Sequence, residues 1–161
     1  DVSNGARCGA AARGLGLAQG AHDLALEYMG QREAFGRRLQ DFQGLNWMMA
    51  ESEIKLEAAR LLIYRAACNA SRLANNVMLP QMKDAPIAKA YSGHATFEVV
   101  SESLQLFGAA GSSPDLPPDR TLRDLRMFQT CCGTSPPLLH RTARRLFSGH
   151  LHFYSPRFSI P

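Results

Sequence analysis

Residues 41–73 read DFQGLNWMMAESEIKLEAARLLIYRAACNASRL. Within them Leu45, Met49, Ser52, Leu56, Ala59, Ile63, Ala66, Ala70 and Leu73 recur three or four residues apart. That spacing draws one face of an α-helix, and Asp41 supplies an N-cap oxygen. Trp47, Ala50, Ile54, Ala58 and Leu61 trace a second apolar seam. A helix with two seams packs on two sides, so the segment predicts a helical bundle. Glu51 and Lys55, four apart in the favourable order, suit a solvated face.

The flanks extend the same pattern. Leu17, Ala21, Leu24 and Tyr28 stripe a first helix from about Ala6 to Tyr28, with Gly30 near its end. Gly5, Gly9, Gly16 and Gly20 weaken that helix and read as positions of close packing. Residues 31–40 read as a loop, and 75–81 as a turn. Asp84 and Pro86 open a third helix that runs to about Phe107 and stops at Gly108. The stretch 108–119 is broken by glycine and proline. A short helix spans 120–129, and Ser135-Pro136-Pro137 opens a last helix to about Phe147. Valine and isoleucine are scarce, which favours helix over strand. The expectation is an all-α antiparallel bundle of about four main helices, without a sheet. One domain covers 1–147, and 148–161 is an aperiodic tail.

Composition narrows the class. The chain has 161 residues, 45% hydrophobic and 20% charged, enough for one globular core without staples. No apolar run approaches the ~18–20 residues of a membrane span. A net charge of +4 spread along the chain is no nucleic-acid footprint. Cys8, Cys68 and the adjacent Cys131 and Cys132 show neither metal spacing nor a disulfide framework. They fit a reducing compartment, the cytoplasm or, in a eukaryote, the mitochondrial matrix. No metal site is expected.

Three loops gather residues capable of chemistry: Arg32-Glu33-Ala34-Phe35-Gly36 with Phe42-Gln43, then Gln105 to Gly111, then Arg123-Asp124 with Cys131 to Ser135. Arginine forks and glycine-opened backbone are what a diphosphate requires. The ordered set Arg32-x-x-Phe35-Gly36, Phe42-Gln43, Glu57 to Leu61, Ala88-Lys89-Ala90, Gln105-x-Phe107-Gly108, Leu122-Arg123-Asp124 and Gly133-Thr134-Ser135 resembles the C-terminal helical domain of the acyl-CoA dehydrogenase family. The resemblance runs from about Arg7 to Phe147.

It implies an FAD-dependent oxidoreductase that desaturates an acyl-CoA or related thioester, assembled as a homodimer, homotetramer or hetero-oligomer. By the same resemblance, Arg32 meets the pyrophosphate of FAD held mainly by a neighbouring subunit. Phe35 and Gln43 line its adenosine end, and Gln105 and Gly108 cradle the ADP portion. Thr134 bonds the flavin's phosphate side, and Arg7 belongs to the substrate side. The departures are as informative. The glutamate that removes the substrate's α-proton in the family is Cys132 here. The alternative position for that glutamate is Ala6, the usual second glycine is Ala109, and a usual glutamine is Pro136. The chain starts where the family's third domain starts, which suggests a piece of a longer or processed protein. The isolated chain is expected to bind FAD weakly or not at all. Three readings follow: an enzyme part with Cys132 at the catalytic position, a non-catalytic oligomerisation and half-site module, or a bundle that has lost flavin.

Overall fold

The computed structural model describes residues 2–72, 78–79, 83–113 and 116–148. Helix α1 spans Val2–Gln31, and a hairpin of β1 (Glu33–Ala34) and β2 (Arg37–Arg38) follows it. A single 3-10 turn at Leu39–Asp41 leads into α2, Gln43–Cys68. Strands β3 (Ser71–Arg72) and β4 (Met78–Leu79) pair antiparallel before α3, Asp84–Leu106. A second 3-10 turn, Gly108–Ser112, precedes α4 (Pro117–Thr130) and α5 (Ser135–Phe147). The all-α reading holds, with three long helices, α1 to α3, and two shorter ones, α4 and α5; the only strands among the described residues are the two short hairpins.

Several local expectations shift. The first helix begins at Val2 rather than near Ala6. The second stops at Cys68, because Ser71 and Arg72 pair with Met78 and Leu79 instead of continuing it. The 31–40 loop is a hairpin, and 108–119 contains a 3-10 turn and the start of α4. Most of the expected turn at 75–81, and the tail beyond Ser148, lie outside the described residues.

The first seam of α2 is its buried face: Met49, Ser52, Leu56, Ala59, Ile63 and Ala66 are all covered. The second seam is not. Trp47, Ile54 and Leu61 are 61%, 68% and 64% exposed. On α1 the buried stripe includes Ala11, Gly14, Ala18, Ala21, Ala25 and Met29, one register step from the predicted one, while Leu24 is 38% exposed. The reason is size. Helix α3 presents Ala88, Ser92, Ala95, Thr96 and Val99 as buried residues, and small side chains on both helices permit close approach. Gly14 is one such contact, where an added Cβ would touch Leu125 and Thr96 at 3.5 Å. Gly9, Gly16 and Gly20 face open space instead, so within this chain they are not packing positions.

The central cluster joins Ala18, Ala21, Leu56, Val99, Val100 and Leu125 from four helices. Cross-links tie the helices further. Lys55 Nζ donates to Glu102 at 2.9 Å and pairs with Glu98 at 3.3 Å, joining α2 to α3. Buried Asp84 in the first turn of α3 accepts from Asn69 and pairs with Arg65 at the end of α2, where a helix N-terminus favours negative charge.

Candidate functional site

The sequence-predicted residues separate to two ends of the bundle. Arg7 and Gln31 lie on the same helix 24 residues apart, ~36 Å at 1.5 Å per residue. Arg32, Phe35, Gln43, Gln105 and Gly108 gather at the far end. Arg7, Cys132 and Thr134 belong to the near end.

At the far end, Arg32 and Gly108 share an open groove of about 320 Å³ with Tyr28, Leu39, Leu106, Phe107, Ala109 and Ala110. Tyr28 packs on Phe107 with ring centroids 4.6 Å apart, forming its floor. Gly108 has φ +58, and a Cβ there would meet nothing within 4 Å, so its backbone is open to a ligand. The hairpin turns at Phe35 (φ 54) and Gly36 (φ 77), the paired left-handed conformation of a tight two-residue turn. That turn projects Phe35, 97% exposed, out of the protein. Phe42 stands edge-on to it at 6.5 Å, and the Arg37 guanidinium lies 3.8 Å over the Phe42 ring. Gln43 and Gln105 are exposed at the same end but do not line the groove. Arg37 is a further cation there, unassigned by sequence reasoning. Only its stacking on Phe42, a tertiary fact, singles it out among neighbouring arginines.

At the near end, residues 131–134 turn the chain from α4 into α5, with Cys132 at φ 57 and Gly133 at φ 105. Cys132 and Thr134 are exposed. Arg7 lies behind the turn, 6% exposed. Its Nη1 donates to Asn4 at 2.5 Å, and its Nε has no acceptor. Burial lowers the Arg7 pKa, and Arg141 lowers it further, while Cys132 opposes them. Lys89, 1% exposed, donates to the Gln129 carbonyl at 3.3 Å. Burial lowers its pKa too, against the pull of both cysteines. Burial raises the Cys131 thiol, with Cys132 adding to the rise and Lys89 opposing it. The cysteines are free thiols. Sequence reasoning missed Lys89 as a site residue. Its signal was a lone lysine within an alanine-rich buried face.

Thr134 is the N-cap of α5 but makes no side-chain cap hydrogen bond. Pro136 and Pro137 remove two of the amide donors that a helix start ordinarily offers. An anion at this helix start therefore meets fewer N–H groups than the resemblance implies. The groove at Arg32 fits a phosphate-bearing cofactor better, since a cation and open glycine backbone converge there. No group of three or more potential metal ligands occurs among the described residues. No helix among them is long and apolar enough to cross a membrane.

Comparison with known proteins identifies the family. The family model described as "Acyl-CoA dehydrogenase, C-terminal domain" matches residues 3–147. The chain is 45% identical over 148 residues to 3-sulfinopropanoyl-CoA desulfinase of Paraburkholderia xenovorans, covering 92% of this chain and 37% of that protein. It is 40% identical over 132 residues to the short-chain-specific acyl-CoA dehydrogenase of Clostridium acetobutylicum, covering 82% and 34%. The structure of butyryl-CoA dehydrogenase from Megasphaera elsdenii superposes with a TM-score of 0.83 at 36% identity, covering 90% of this chain and 37% of that one. The chain spans a little over a third of the length of the relatives it matches.

Proposed function

Because the chain belongs to the acyl-CoA dehydrogenase family and matches its C-terminal domain, we propose that residues 1–147 form the cofactor-contacting bundle of a flavin-dependent oxidoreductase acting on an acyl thioester. The groove shared by Arg32 and Gly108 carries this reading. FAD, when bound, would supply the hydride acceptor for α,β-dehydrogenation. Arg32 would pair with its pyrophosphate, Gln105 and Gly108 would cradle the ADP portion, and Phe35 and Gln43 would flank its adenosine end. The ~36 Å between the two ends exceeds the reach of one dinucleotide. We therefore assign the Arg32 end to a cofactor held by a second copy, and the Cys132 end, with Thr134 and Arg7, to the chain's own site. A homodimer or dimer of dimers in the cytoplasm is the assembly that follows.

In dehydrogenation, Cys132 as thiolate would take the α-proton while hydride leaves the β-carbon. A second reading rests on one observation: no described carboxylate forms an ion pair with Arg7, Lys89 or Arg141 beside that thiol. Desulfination, the reaction for which the 45% identical relative is named, does not call for a carboxylate at position 132. The bond from the β-carbon to sulfur breaks, a proton takes the place of sulfur, water supplies oxygen to sulfite, and no hydride is lost to an acceptor. A non-catalytic half-site subunit of a hetero-oligomer is the third reading.

One assay separates them. The protein as its gene encodes it, supplied with FAD, is given butanoyl-CoA with a dye acceptor, and separately 3-sulfinopropanoyl-CoA. Dye reduction identifies dehydrogenation, and sulfite release without dye reduction identifies desulfination. Bound flavin with neither product identifies the half-site module.

A further inference from the structure

Two buried cations underlie the 131–134 turn, and only one of them is answered. Lys89 Nζ meets the Gln129 carbonyl in the last turn of α4, where the negative end of the helix dipole suits a cation. Arg7 has no such counterpart among the described residues. Its Nη1 meets the neutral Asn4 amide oxygen, its Nε meets no acceptor, and it forms no ion pair among the described residues. A buried cation without a counter-charge is strongly unfavourable, so Arg7 is best accounted for by an anion that arrives from outside.

The route from outside is short. Gly133, partly exposed, lies against Arg7, and a Cβ built on it would lie 3.8 Å from Arg7 Nε. Beside it Cys132 is exposed, and Arg141, also exposed, acts electrostatically on Arg7. The turn thus presents one buried guanidinium, one exposed guanidinium and a small thiol, with no acid of its own.

We propose that Arg7, assisted by Arg141, seats an acidic group carried on the acyl chain of the substrate, a carboxylate or a sulfinate. The proposal rests on the acyl-thioester reading above and adds the substrate class. It amounts to a charge exchange: the protein presents a thiol where its family carries a carboxylate, and the substrate brings the negative charge. A neutral acyl chain would leave Arg7 unpaired, so discrimination comes from the missing partner as much as from the added contact.

Succinyl-CoA and butanoyl-CoA share a four-carbon chain and differ in a terminal carboxylate, so they isolate this term. Isothermal titration into the flavin-loaded protein, as its gene encodes it, should show succinyl-CoA binding at least tenfold more tightly. Arg7→Gln should bring the two affinities within about twofold, and Arg7→Lys should retain part of the preference. Arg7 is buried and its loss could prevent folding, so Arg141→Gln, at an exposed position, provides an independent reading and should reduce the preference about threefold. Equal affinities in the unaltered protein would overturn the proposal, as would a full preference in both Arg7→Lys and Arg141→Gln. Binding of neither thioester would remove the acyl-thioester reading itself, and this proposal with it.

Discussion

Cys132 occupies a left-handed backbone position, φ 57, that non-glycine residues seldom adopt. Glutamate at the same position carries a similar backbone cost, so substitution there tests side-chain chemistry with little change in strain. Cys132→Glu is expected to raise butanoyl-CoA oxidation by about 10²–10⁴-fold, the contribution of a placed base. The same variant should weaken binding of acid-bearing thioesters, since the new carboxylate would pair with Arg7. Dye reduction under saturating butanoyl-CoA measures the first effect, and an unchanged rate would show that substrate does not reach position 132. The thiol just before Gly133-Thr134-Ser135 was legible in the sequence. The missing partner of Arg7 was not, because burial and hydrogen bonding depend on where α1 meets the turn after α4.

At the scale of elements, the 3-10 turn after α3 is held by close packing. A Cβ on Gly111 would lie 2.5 Å from the Leu104 carbonyl oxygen and 3.2 Å from Phe107 Cβ. Gly111→Ala should therefore destabilise the protein by about 1–3 kcal/mol, the usual cost of overpacking. A thermal melt should register it at about 2–4 °C per kcal/mol, and an unchanged midpoint would mean the turn relaxes freely.

The Lys55 link between α2 and α3 makes a pH-dependent contribution. The hydrogen bond that Lys55 donates to Glu102 is the largest cause holding its pKa above the ordinary lysine value, with burial working against it. A raised folded pKa adds stability that is fully present below the unfolded value, ~10.4, and is lost as pH rises through the folded value. The Lys55 and Glu102 side chains are 25% and 28% exposed and Glu98 58%, so screening limits the link to about 0.5–1 kcal/mol. The stability gap between the unaltered protein and Lys55→Gln should be constant up to about pH 9 and close at higher pH, read by melting point. The helices themselves were readable because periods of three and four survive in the sequence. The two short hairpins were not, since two-residue strands leave no alternation to find.

For the molecule as a whole, the exposed seam of α2 is the feature that one chain leaves unexplained. Trp47, Ile54 and Leu61 are seven residues apart and each is more than half exposed. Apolar side chains repeated along one face mark a surface that packs on something else. The second seam was visible in the sequence, but which partner covers it depends on geometry beyond this chain. Self-association through the bundle is expected, with sedimentation at micromolar concentration giving a dimer or tetramer. Ile54→Asp together with Leu61→Asp should shift that distribution toward monomer, and a native protein that sediments only as monomer would contradict the assembly.

The claim on which the functional account turns is that the Arg32 end of the bundle holds a flavin's pyrophosphate. A charge-assisted hydrogen bond of this kind contributes about 1.5–3 kcal/mol, which converts to roughly 10–150-fold in affinity. The direct measurement is the flavin-to-protein absorbance ratio after extensive buffer exchange, for the protein as its gene encodes it, for Arg32→Ala, and for Arg13→Ala as an exposed control within α1. The account predicts retained FAD in the unaltered protein and in Arg13→Ala, and its loss from Arg32→Ala, recoverable by added FAD at higher concentration. Equal flavin content in Arg32→Ala and the unaltered protein would contradict it.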